Sequence, residues 1–287
     1  MRVRRSILTG VVAGGIALTA AGCSSSGSGT KVSRTPNSVV LDAVHSAQGQ
    51  RTAIVQLSLS SAGLPAGSSE GGIGFGQVDF DTGAMTATFD YSGSPRVQGL
   101  QLSELIVGGH LYLAPSQNGQ SVSSLLPGKE WIANPGNLTS QLTGEAGSEN
   151  PADMLGALEA KGNTVIDLGP SVVDGMATEA YSVTSNPAQA LARLNQEHMP
   201  ASVAKGAKAL ISAGPVKTKV WVNQPSHVIR QLAVGVPVPG TTGATVTVTM
   251  DFSDFGAPVS ISPPPASTVA TYGQFEQAAK AAQSPHV

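Results

Sequence analysis

One side chain is placed for a specific reaction. Cys23, the only cysteine among 287 residues, follows Ala20-Ala21-Gly22. Small residues leading into a cysteine at the end of a secretory leader form a lipobox. There the thiol is converted to a diacylglycerol thioether and the leader is cut away in front of it. Arg2, Arg4 and Arg5 supply the positive start of such a leader, and the stretch from Ile7 to Ala20 is apolar or small and uncharged. About 14 residues at 1.5 Å rise reach roughly 21 Å, short of a hydrocarbon core of about 30 Å, so the segment does not read as a membrane span. Ala20 stands where the lipobox pattern prefers Leu. The competing reading is an ordinary cleaved signal followed by an incidental thiol. Arg4-Arg5-Ser6-Ile7-Leu8 fits a twin-arginine export pattern, and the adjacent arginines of a general secretory leader fit it equally.

Other chemistry lacks its residues. A hydrolase needs a nucleophile beside a base, and no G-x-S-x-G elbow occurs. His45, His110, His198, His227 and His286 show no metal-binding spacing. The run Gly72-Ile73-Gly74-Phe75-Gly76 lies inside a strand pattern, not after one, so it is not a nucleotide loop. Asp251 and Asp254 bracket a turn, where Asp serves local hydrogen bonds. The expectation is a protein that is not an enzyme, with no metal and no cofactor. Cleavage before Cys23 removes three arginines and leaves 13 basic against 18 acidic residues, a net charge of about −5. That charge, without any basic cluster interleaved with aromatics, argues against nucleic acid. Charged residues are 12% of the chain, about half the usual share. A single cysteine allows no internal disulfide, so burial and hydrogen bonds must hold the fold.

The elements that would carry any site follow from periodicity. Residues 1–22 read as signal peptide, 23–36 as the lipidated cysteine with a flexible Ser/Gly linker, and 37–287 as one domain. A first helix is expected from Ser38 to Gln48, capped by Asn37. Period-two strands are expected at 54–60, 72–80, 84–91, 98–107 and 110–114, with turns at Asp81-Thr82-Gly83 and Gly108-Gly109. Residues 115–150 read as an irregular excursion with a short helix near 138–142. A helix at 152–161 precedes strands 164–168 and 176–184, joined by Val173-Asp174-Gly175. Helical stretches are expected from Asn186 to Met199 and from Ala201 to Ser212, then strands at 216–222, 228–236 and 246–252. Pro263-Pro264-Pro265 ends the sheet, and a helix from Tyr272 to Ala282, or a loose tail, closes the chain.

Val220-Trp221-Val222-Asn223, His227 to Leu232, and Val246 to Val259 with its Ser253-Asp254-Phe255-Gly256 close, together resemble the LppX/LprG-type lipoproteins of actinobacteria, distantly similar in shape to LolA carriers. Val173 to Tyr181 and Gly109 to Leu113, followed by Trp131, echo the middle of the pattern. The resemblance implies an α+β fold in which an antiparallel sheet of about ten strands curls into a half-barrel, with helices on its concave face. It implies an apolar cavity for an acylated lipid or glycolipid, carried within the envelope by a monomer anchored to the outer face of the cell membrane through Cys23. It supplies no catalytic residue.

Gly72, Gly74 and Gly76 share one face of a strand, which leaves that face almost bare. Either a helix or an acyl chain would have to fill it. Phe75, Phe80, Met85, Phe89, Leu100, Leu102 and Ile106 are further candidates for lining a cavity, or for a plain core. The alternative function is a non-catalytic interaction or scaffolding module whose sheet leaves no cavity.

Overall fold

A computed structural model describes residues 34–64, 71–91, 98–135, 150–186, 214–238 and 240–283. The leader, Cys23 and the linker lie outside the described residues, as do the helices expected near 138–142 and across 187–212.

Thr35-Pro36 starts the first helix, α1 (Pro36–Gly49): Thr35 Oγ1 accepts from the Ser38 N–H at 3.2 Å, and Pro36 sits where no donor is needed. Asn37, expected as the cap, is therefore already inside the helix. Val40, Ala43, Val44 and Ala47 form its buried face. The chain then runs β1 (Thr52–Ala62), β2 (Gly71–Asp79), β3 (Ala84–Asp90), β4 (Leu100–Val107), β5 (His110–Gln117) and β6 (Gln120–Ser121). A one-turn helix α2 (Val122–Leu125) and β7 (Trp131–Ala133) fall where an irregular excursion was expected.

Next come α3 (Pro151–Leu158), β8 (Thr164–Val173), β9 (Met176–Ser185), β10 (Val216–Asn223), β11 (Ile229–Pro237) and β12 (Thr245–Ser253). A 3-10 turn at Ala266–Thr268, β13 (Val269–Thr271) and α4 (Tyr272–Gln283) complete the described chain, so the terminal segment is a helix and not a loose tail.

Thirteen strands form one sheet in the order β13-β7-β5-β4-β3-β2-β1-β12-β11-β10-β9-β8, with β6 added to β5. Every pairing is antiparallel except β13 with β7. The sheet is open: β8 and β13 are its two ends. The three strands beyond the ten read from sequence are β6, β7 and β13, each two or three residues long and too short to show a period.

The register assigns every strand an inward and an outward face. Val55 pairs with Phe252 and Gly76, Leu57 with Met250 and Gly74, and Val78 with Ala53 and Met85, so these residues share the inward face. On it α1 and α3 bury Val44, Ala47, Leu155 and Leu158 against Val55, Val220, Leu232 and Phe252. Strand β12 shows the consequence, with strict alternation from Thr245 to Ser253 between half-exposed and buried side chains. At the far end, α2 and α4 cover β7 through Val122, Ile132, Tyr272 and Phe275.

Asn150 fixes α3 to the sheet. Its Oδ1 accepts from the Ala152 N–H at 2.9 Å and its Nδ2 donates to the Gly83 carbonyl at 2.7 Å. The side chain serves as both N-cap and bridge to the β2–β3 turn. Asn150→Ala should therefore cost about 2 kcal/mol, seen as a Tm lowered by roughly 4–8 °C in thermal denaturation; an unchanged Tm would show that the bridge contributes nothing.

Candidate functional site

Nine of the ten residues picked as cavity candidates lie on the inward face. Gly72, Gly74 and Gly76 are cross-strand from Leu59, Leu57 and Val55, and Met85 and Phe89 face the same side from β3. Leu100, Leu102 and Ile106 continue it on β4, since Leu102 pairs with Phe89 and Ile106 with Met85. Phe80, just past β2, reaches the same core through Phe252, ring centroids 6.4 Å apart. Phe75 is the exception. Alternation puts it on the outward face, where it is 60% exposed.

The glycine face is filled by something the sequence reading did not consider. A Cβ on Gly74 would lie 2.6 Å from the Phe89 ring, and one on Gly72 would lie 2.8 Å from the Tyr91 ring. The two rings stack with centroids 6.0 Å apart. Side chains of the neighbouring strand fold over the bare backbone in place of a helix. At Gly76 the approach is backbone itself, with the Thr86 carbonyl oxygen 2.2 Å from an ideal Cβ.

Burial divides the nine. Met85, Leu100 and Leu102 are 1–2% exposed, so no water-sized space touches them. Met85 belongs to the core under α1 and α3, whereas Leu100 and Leu102 pack with Tyr91 and Leu113 in a second cluster. Phe80, Phe89 and Ile106 are only half buried.

Helices α1 and α3 sit toward one end of the strands. Helix α1 leads directly into the start of β1, and α3 begins at the β2–β3 turn. At the other strand ends, Leu59, Phe89, Val216 and Val236 are inward-facing, apolar and half buried. The apolar face therefore continues beyond α1 and α3, across β10, β11, β12, β1 and β3.

Glu104 and Tyr181 are buried polar groups on the inward face. Glu104 is 2% exposed and stands cross-strand from Ala87 and Leu113, the one charged side chain among the buried described residues. Its signal was present, because Leu100, Leu102, Glu104 and Ile106 fall on one period-two face. Tyr181 is buried opposite Asp167. Desolvation raises its hydroxyl pKa, with the nearby charges of Asp167 and Glu179 adding to the effect. No group of three or more metal-ligating side chains occurs among the described residues. No described helix is long and apolar enough to cross a membrane.

No family model matches the chain, and no curated protein matches it. Among solved structures it is similar to the lipoprotein LppX of Mycobacterium tuberculosis, at 14% identity and TM-score 0.42, over 79% of this chain and 98% of that one. LprF of Mycobacterium bovis matches at 14% identity and TM-score 0.43, over 80% and 96% of the two chains. A LolA-superfamily protein of Nitrosomonas europaea matches at 12% identity and TM-score 0.28, over 77% and 92%.

Proposed function

We propose that this protein is a membrane-anchored lipoprotein that binds an acylated lipid or glycolipid against the inward face of its sheet and carries it within the cell envelope. The supporting observation is the half-buried apolar surface of Leu59, Phe89, Val216 and Val236, which extends past α1 and α3. Each methylene of an acyl chain removed from water there contributes about 0.8 kcal/mol, so a chain of ordinary length binds without any catalytic or charged group. The Cys23 anchor keeps the exchanging surface at the bilayer, where two or more acyl chains make attachment stable.

A second reading is favoured by the tight packing of Met85, Leu100 and Leu102 and by the aromatic cover over the glycines. On that reading the sheet is a non-catalytic interaction module with no cavity. Uptake of the fluorescent fatty acid cis-parinaric acid by the delipidated chain from Ser24 onward separates the two. The carrier reading expects saturable binding that Val236→Asp weakens by at least about tenfold, the effect of roughly 1.4 kcal/mol. Absence of uptake in the parent chain leaves only the interaction module.

A further inference from the structure

Strand β2 carries its bulk on the unexpected side. Three of its four inward positions are glycines, with Val78 the fourth, while outward Ile73 and Phe75 are 52% and 60% exposed. They line a groove of about 850 Å³ that also touches Gln56, Ser58, Thr88, Asp90 and Gln101, and that reaches Leu59, Gly72 and Phe89 of the inward set. Register places Phe75 between Gln56 and Thr88, and Ile73 between Ser58 and Asp90, with Gln101 beyond Asp90. Neighbouring strands are about 4.8 Å apart, so the apolar column is bounded at one strand spacing by one amide, two hydroxyls and a carboxylate.

Few occupants match that layout. A purely apolar one would cover Ile73 and Phe75 but strip water from the flanking polar groups without replacing their hydrogen bonds. An extended peptide cannot add a strand here, because β1, β2 and β3 already pair with neighbours on both sides. A sugar ring has a C–H face as broad as a phenyl ring and a rim of hydroxyls that both donate and accept. Its face would stack on Phe75 with its rim toward Gln56 and Thr88, and a second sugar would extend toward Ser58 and Gln101. We propose that this groove is a saccharide-binding site centred on outward Phe75; it does not rest on the lipid reading.

The test is saturation-transfer NMR on the full chain in micelles of a sugar-free detergent, with cellohexaose, maltohexaose, mannohexaose and chitohexaose as probes. At least one should bind with Kd of about 1 mM or tighter, and Phe75→Ala should weaken it at least about tenfold. Gln56→Ala should weaken it severalfold without changing the melting curve. Equal affinity for the free sugar and for a glycolipid bearing it identifies an envelope glycan as the source. Tighter binding of the glycolipid, still lost in Phe75→Ala, identifies a lipid head group. No binding by any probe, binding unaffected by Phe75→Ala, or self-association that Phe75→Ala abolishes would each overturn the proposal. Lipid uptake on the inward face should survive Phe75→Ala; its loss would tie the groove to lipid and overturn the proposal.

Discussion

Gly76→Ala is expected to destabilise the protein by about 3 kcal/mol, a Tm lower by roughly 6–12 °C. A methyl group is normally a small addition on a strand, and an alanine usually gains over glycine there. At this position the new Cβ meets the Thr86 carbonyl oxygen at 2.2 Å and the Ala87 Cα at 3.0 Å, both backbone atoms of the adjacent strand. Relief requires β2 and β3 to move apart, which disturbs the pairing from Ile73 with Asp90 to Asp79 with Ala84. Gly74→Ala provides the contrast. Its obstacle at 2.6 Å is the Phe89 ring, a side chain that can turn away. The cost there should be smaller, about 1 kcal/mol, and Phe89→Leu in the same chain should relieve part of it. Urea denaturation of the two single variants and the double variant measures all three terms. Equal costs at Gly74 and Gly76 would show that the β2–β3 approach is not what selects glycine.

Cys23→Ala should remove the protein from the membrane fraction almost completely. Lipidation at Cys23 is the anchoring chemistry that the lipobox pattern implies. Two or more acyl chains give stable attachment, so their loss removes many kcal/mol of partition free energy at about 0.8 kcal/mol per methylene. Fractionation after growth with an alkyne-labelled fatty acid reads both properties at once. The parent chain should carry label and sediment with membranes, and the variant should carry neither. A variant that still carries the fatty-acid label would show that Cys23 is an incidental thiol behind an ordinary signal.

The strand pattern was legible where a long strand has one buried and one wet face. Val246, Val248, Met250 and Phe252 announce β12 as clearly in the sequence as in the structure. What escaped depends on contacts between strands. The Asn118-Gly119 pair, with φ of 52° and 81°, makes the hairpin that ends β5 and adds β6, and an Asn-Gly turn is among the strongest short-range signals. It was passed over because the surrounding Ser, Asn and Gly composition reads as loop. The period of two also places Phe75 on the face opposite Gly74 and Gly76, where it is exposed. The cover of Phe89 and Tyr91 over Gly74 and Gly72 was not legible, since it depends on the β2–β3 register and on side-chain direction. The cap of α1 shifted from Asn37 to Thr35 because Pro36 is better suited to the first helical position than to the residue before it.

The carrier reading meets its most direct test in the lipid that accompanies the protein. The chain from Ser24 onward, exported without its anchor and purified without detergent, is extracted and its lipids are quantified by mass spectrometry. The predicted result is an acylated lipid or glycolipid in near-equimolar amount with the protein, depleted in Val236→Asp and retained in Phe75→Ala. A chain that purifies free of lipid and takes up none when offered would contradict it.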